Sequence, residues 1–175
     1  LTDTGWSKTM VATSYDTSIA QIGEYCSIAI NNDGYHCISY TQKYPHKIVF
    51  AYQDVNGWHF SDVNEVYQPY YTKIRLENGE NPVIGYHRLG TQNENILEIS
   101  YLNPADSSWN IITLPDTVER ISYGHLVGFD TDNLGNAYYA YFNADSDLKL
   151  AVYDGQSWNI ETILVYPHFA GRPAF

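Results

Sequence analysis

Short apolar segments recur from residue 27 to residue 163, separated by turns rich in Asp, Asn and Gly. The cleanest unit, 125–163, reads LVGF, a polar turn, AYYAYF, a polar loop, LKLAVY, DGQS and WNIETI. Apolar and aromatic residues in runs of this length, bounded by turn formers, predict four hairpin-linked strands. The same order appears twice upstream. Strands are predicted at 27–30, 36–40, 47–52 and 58–63, and again at 73–76, 82–86, 96–101 and 109–114. Asn32-Asp33-Gly34 is the strongest hairpin turn in the chain. Pro82 is tolerable at a strand start, where only the first ladder position lacks its donor.

Tryptophans keep the register. Trp6, Trp58, Trp109 and Trp158 lie 52, 51 and 49 residues apart, each at the opening of the last strand of its unit. Four-stranded units at a period of about fifty residues predict propeller blades. The expected fold is therefore all-β, a β-propeller segment of three complete four-stranded antiparallel blades at 27–63, 73–114 and 125–163. Residues 1–13 match the last strand of a preceding blade, and 164–175 are a tail or the start of a next one. A small residue precedes a tyrosine at the end of each second strand, in Ser39-Tyr40, Gly85-Tyr86 and Ala140-Tyr141. These tyrosines and the four tryptophans are expected to be structural, filling the taper between blades.

An arc of three blades leaves an apolar face at each end, which calls for further blades of the same protein or identical copies completing a ring. The chain begins with Leu1, inside a blade, so it is expected to derive from something longer.

Composition narrows the partners. Twenty acidic against nine basic residues give a net charge of −11, a field that repels phosphate backbones and anionic lipid. Nucleic acid is not expected, and without a run of eighteen apolar residues neither is membrane insertion. Cys26 and Cys37 flank the first strand and turn of the first unit. A four-residue turn would set Cys37 opposite Ile28 and Cys26 opposite Ser39, which does not bring the sulfurs face to face. Free, partly buried thiols are the favoured expectation, with a disulfide in an oxidising compartment the other.

The turns before the tryptophans, QDVNGW, NPADSSW and YDGQSW, resemble a shortened Asp-box, the motif of the sialidase-like propellers. The wider repeat is similar to secreted bacterial propellers of that superfamily, which implies an extracellular or periplasmic setting. Such propellers include hydrolases, lyases, lectins and scaffolds, so the resemblance implies a fold more than an activity. Sialidase chemistry needs three convergent arginines, and Arg75, Arg88, Arg120 and Arg172 fall in no motif that would bring them together.

In a propeller, the loops after the second and fourth strands open on one face, where ligands usually sit. That assignment nominates Tyr44, His46, Tyr70, Tyr71, His87, Arg88, Arg120, Tyr123 and Arg172, a cationic and aromatic set suited to a sugar, including an acidic one. The favoured function is a non-catalytic module that recognises carbohydrate or a protein. The alternative is part of a carbohydrate-active enzyme, a glycoside hydrolase or a polysaccharide lyase in which His87, Arg88, Tyr123 and His125 converge. Asp130-x-Asp132-Asn133 and Asp145-x-Asp147 resemble pieces of calcium loops, but they lack the longer ladder of oxygens with an ending Glu, and turn chemistry explains the Asp130 segment without a metal. No cofactor motif is present.

Overall fold

The computed structural model describes residues 8–12, 22–92, 94–118 and 128–165. Among the described residues, twelve strands form three antiparallel sheets, each a four-stranded meander. The first contains β1 (Ile22–Ile30), β2 (His36–Lys43), β3 (His46–Asp54) and β4 (Gly57–Glu65). The second contains β5 (Pro69–Glu77), β6 (Asn81–Leu89), β7 (Asn95–Leu102) and β8 (Trp109–Thr113). The third contains β9 (Gly128–Thr131), β10 (Ala137–Phe142), β11 (Leu148–Tyr153) and β12 (Trp158–Leu164). These are the three blades.

Alternation gives each blade two apolar faces, because paired residues on neighbouring strands point the same way. One face carries the rows Ile28–Ile38–Ala51–Phe60, Ile74–Ile84–Ser100–Ile111 and Phe129–Tyr139–Ala151–Ile160 in the three blades. We call it the leading face. The opposite, trailing face of one blade packs on the leading face of the next. Cys37, Ile48, Phe50 and Val63 of the first blade form one cluster with Ile74, Ile84 and Tyr86 of the second. Val83, Leu97, Ile99 and Leu114 of the second do the same with Phe129, Tyr139, Tyr141 and Ala151 of the third. Each fully buried aliphatic or aromatic side chain in these junctions contributes about 1.5–3 kcal/mol.

The small-residue column explains how closely the blades approach. Ser39 is fully buried and donates to Thr72 Oγ1 of the next blade at 2.9 Å. Gly85 lies against the Phe129 ring, where a Cβ would stand 2.5 Å from Cδ2. Ala140, in the same column of the last blade, is exposed. Conversely, Ile28 is 58% exposed, whereas its counterparts Ile74 and Phe129 are 0% and 7% exposed beneath a neighbour. Among the described residues the leading face of the first blade is covered only around Tyr40, Val49 and Ala51, with Ile30 and Phe60 exposed on it, and Phe142 is exposed on the trailing face of the third.

Tryptophans stitch consecutive blades. Trp109 Nε1 donates to Ser61 Oγ at 2.9 Å, and Trp158 Nε1 donates to the Thr113 carbonyl at 3.0 Å. Trp58 Nε1 is buried without a partner, and Trp58 packs with Val11 on Tyr40, Val49 and Ala51. Val11, Val63 and Leu114 each follow their tryptophan by five positions, and Val63 and Leu114 both cap a following blade. Residues 8–12 nevertheless form no strand, and Trp6, with most of the expected preceding strand, lies outside the described residues. Tyr40, Tyr86 and Tyr141 are buried. Their hydroxyl partners, where present, are side chains rather than backbone: Asn64 and Ser100 donate to Tyr86, and Tyr141 donates to Asp116.

One register expectation is corrected. The first hairpin loop runs from Asn31 to Tyr35, closed by Asn31 N donating to the Tyr35 carbonyl and Tyr35 N donating to Asn31 Oδ1. The extra residue sets Cys37 opposite Ala29 instead of Ile28, and Cys26 falls in a bulge with no partner opposite. Both thiols are free, Cys37 buried and Cys26 exposed.

Candidate functional site

Strands run further than their apolar cores suggest, which moves most of the nominated loop residues into sheets. A two-residue turn, Tyr44-Pro45, joins β2 to β3 and pairs Lys43 with His46, so His46 is a strand residue. Tyr70 and Tyr71 lie in β5, and His87 and Arg88 lie in β6. Among the nominated set, Arg120, Tyr123 and Arg172 lie outside the described residues, as does His125.

Tyr44, His46 and Tyr70 do come together. They line a cleft of about 480 Å³ between the first and second blades, along with Glu24, Tyr25, Thr41, Gln42, Lys43, Gln68 and Pro69. His46 lies between two tyrosine rings, 5.3 Å from Tyr44 and 5.8 Å from Tyr67, and its Nδ1 is buried without a partner. Tyr70 Oη donates to Gln68 Oε1 at 3.2 Å, and Gln42 Nε2 donates to the Tyr44 carbonyl at 3.0 Å. The cleft is therefore lined by aromatic rings beside amide, hydroxyl and imidazole groups.

Two bulges build its inner wall. The β1–β2 ladder slips between Glu24 and Ser27, and the β5–β6 ladder slips between Tyr70 and Lys73. At these slips Tyr25 and Tyr71 adopt φ of +49° and +45°, and nearby Gln68 adopts +43°. A left-handed conformation costs a non-glycine residue about 1–3 kcal/mol and gathers at ligand sites. Threonines hold the bulges: Thr41 Oγ1 donates to the Glu24 carbonyl at 2.9 Å, and Thr72 Oγ1 donates to the Tyr25 carbonyl at 2.7 Å. As a result the Tyr25 ring stands 5.7 Å from Tyr70 and 4.6 Å from Tyr71. Reading the sequence by composition missed Tyr25. The available signal was its position three residues before Ile28, matching Tyr71 before Ile74.

His87 and Arg88, adjacent in β6, point to opposite faces, so they do not share the single pocket that a lyase pair requires. Arg88 faces the first blade, where its Nη2 donates to Glu98 Oε1 at 2.7 Å. Glu98 is 2% exposed and also accepts from Asn64 Nδ2 and Thr113 Oγ1, both at 3.3 Å. That network ties β4, β6, β7 and β8 together.

His87 faces the third blade and is 3% exposed, its ring stacked 5.5 Å from Tyr70 and its Nε2 bonded to Asn95 Oδ1 at 2.9 Å. Burial depresses its pKa from 6.5 to about 4, with the Asn95 bond offsetting a smaller part. The unfolded chain accepts a proton near pH 6.5 that the folded ring refuses. Stability is therefore whole above that pH and falls as pH drops toward 4, by up to about 3 kcal/mol. Urea titrations of the wild type and His87→Gln across this range should show the variant losing less.

No family model matches the chain, nor does any curated protein. Among solved structures it is similar to a fucose lectin from Kordia zhangzhouensis, determined in complex with methyl-fucoside. The two share 12% identity at a TM-score of 0.46, over 79% of this chain and 99% of that one.

The residues behind the sialidase-like resemblance serve their own turns. Asp54 accepts from Asn56 N, Asp106 from Ser108 N, and Asp154 from Gln156 N and Ser157 N. A recurring Asp is what such turns require, whatever the family. Of the arginines, Arg75 pairs with Asp130 at 2.6 Å and Arg88 with Glu98, on different blade faces. The calcium-like segment is used in the same local way. Asp130 is held by Arg75, while Asp132 accepts from Leu134 N, Asn136 N, Asn136 Nδ2 and Tyr138 Oη. In the second such segment Asn143 Oδ1 accepts from Asp145 N and Asp147 N. Among the described residues no three His, Cys, Asp or Glu side chains group to hold a metal, and no helix is long and apolar enough to cross a membrane.

Proposed function

We propose that this protein is a non-catalytic carbohydrate-binding propeller module that takes a sugar in the cleft between its first two blades. The supporting observation is the cleft itself, which Tyr25, Tyr44 and Tyr70 line together with Gln42, Gln68 and Thr41. A pyranose has one face of C–H groups and a rim of hydroxyls, so rings stack on the former and amides bond the latter. Glu24 and Lys43 line the cleft with opposite charges, which favours a neutral sugar over an acidic one. Affinity should accordingly change by less than about twofold between about 50 and about 500 mM NaCl.

The exposed apolar residues of the two end blades, Ile28 and Phe60 at one and Phe142 at the other, lie on the faces that elsewhere bury blade on blade. We read them as places for further blades, from the same polypeptide or identical copies. The same reading puts the protein at or beyond the cell surface, where glycans are displayed.

A glycan array followed by calorimetry tests the proposal. The wild type should retain a defined subset of neutral glycans, and Tyr70→Ala and Tyr44→Ala should each weaken binding at least about tenfold. Folding of each variant is verified by its thermal transition. Retention of no glycan, or unchanged affinity in both folded variants, would contradict the assignment.

A further inference from the structure

Behind Tyr25 lies a second cavity of about 120 Å³. Its walls come from three blades: Tyr25 and Cys26 of β1, Tyr71, Thr72 and Lys73 of β5, Gly85 and His87 of β6, and Phe129 and Tyr139 of the third. Tyr25 lines both this cavity and the larger cleft. Tyr70, on the cleft side, stacks on His87, which lines the cavity. The two spaces are thus neighbours across one tyrosine ring.

The chemistry of the second space also suits a sugar's polar rim. With Nε2–H of the neutral His87 ring donated to Asn95 Oδ1, Nδ1 is left as an acceptor, and it is buried without a partner. A buried acceptor left unmade is costly, and a ligand hydroxyl supplies the missing donor. Thr72 and Lys73 add polar groups, while Phe129 and Tyr139 add apolar wall. A space of this size is smaller than the ~150 Å³ cavity that admits a benzene ring, so it accepts the edge or a pendant group of a sugar but not a whole unit.

We infer that the cleft and this cavity form one extended site for a saccharide of at least two units, the first seated against Tyr44 and Tyr70 and the second directing its edge or a pendant group past Tyr25 toward His87. This rests on the carbohydrate reading above.

Cys26 provides a reporter that does not depend on affinity. It is the exposed thiol and lines the second cavity, whereas Cys37 is buried. Native protein is treated with 5,5′-dithiobis(2-nitrobenzoate) alone and with matched pairs: methyl glucoside and cellobiose, methyl galactoside and lactose, methyl mannoside and mannobiose, methyl N-acetylglucosaminide and chitobiose. Binding of each sugar is measured by calorimetry in parallel. For at least one pair, the disaccharide should bind at least about tenfold tighter than its methyl glycoside and slow the labelling by a similar factor. The methyl glycoside at saturation should leave the labelling rate unchanged. Equal binding of both members with unaltered Cys26 labelling overturns the extension and leaves the monosaccharide site standing. Protection by the methyl glycoside alone overturns it as well. Binding of no member of any pair overturns the extension, and the reading beneath it falls as well when the glycan array is also empty.

Discussion

Glu98→Ala should destabilise the protein by about 3–5 kcal/mol, because it leaves the half-buried Arg88 guanidinium without its carboxylate. Arg88, Asn64 and Thr113 all converge on this carboxylate, which is nearly sealed from water. Asn64 comes from the first blade, so the loss loosens the junction between blades as well as the second sheet. The pair is not itself a large source of stability, since two charges had to leave water to make it. A double variant, Arg88→Met with Glu98→Leu, should therefore recover most of what the single variant loses. Urea unfolding of the wild type, Glu98→Ala and the double variant checks this, with the midpoint lowest for the single substitution.

Phe129→Ala should cost a similar amount, about 3–5 kcal/mol, by opening a hole between the second and third blades. The ring rests where Gly85 lacks a side chain, so the two positions are coupled. Gly85→Ala in the wild-type background forces a Cβ into the ring and should cost about 1–3 kcal/mol. In the Phe129→Ala background the same methyl fills vacated space and should be neutral or stabilising. A double-mutant cycle by chemical denaturation measures the difference, and independent effects would show that the blades do not stack as described.

Much of this architecture was legible in the order of residues. Turn formers between aromatic and β-branched runs marked the strands, and β10 and β11 match the sequence-based bounds at 137–142 and 148–153. The even spacing of Trp58, Trp109 and Trp158 marked where each last strand begins, because each indole packs at the same place in its blade. Strand ends were less legible. His87 and Arg88 are polar and looked like loop residues, yet the ladder continues to Leu89 because each finds a partner inside, Asn95 for one and Glu98 for the other. A single inserted residue in the first hairpin loop moved Cys37 by one register step, and composition alone carries no trace of that. The bulges at Tyr25 and Tyr71 were hidden for a related reason. A bulge is a property of two strands compared, and only the alignment of one repeat on another exposes the matched tyrosines. The candidate site was thus half visible: its side chains were partly named, but the backbone that gathers them was not.

The placement of a sugar against the cleft tyrosines is tested most directly by NMR of protein carrying 3-fluorotyrosine, with resonances assigned by single Tyr→Phe variants. On titration with a glycan retained in the array, the signals of Tyr25, Tyr44 and Tyr70 should shift, while those of Tyr101 and Tyr153, at the opposite edge of the blades, stay fixed. Shifts confined to Tyr101 and Tyr153, or none at any tyrosine at saturating sugar, would contradict the account.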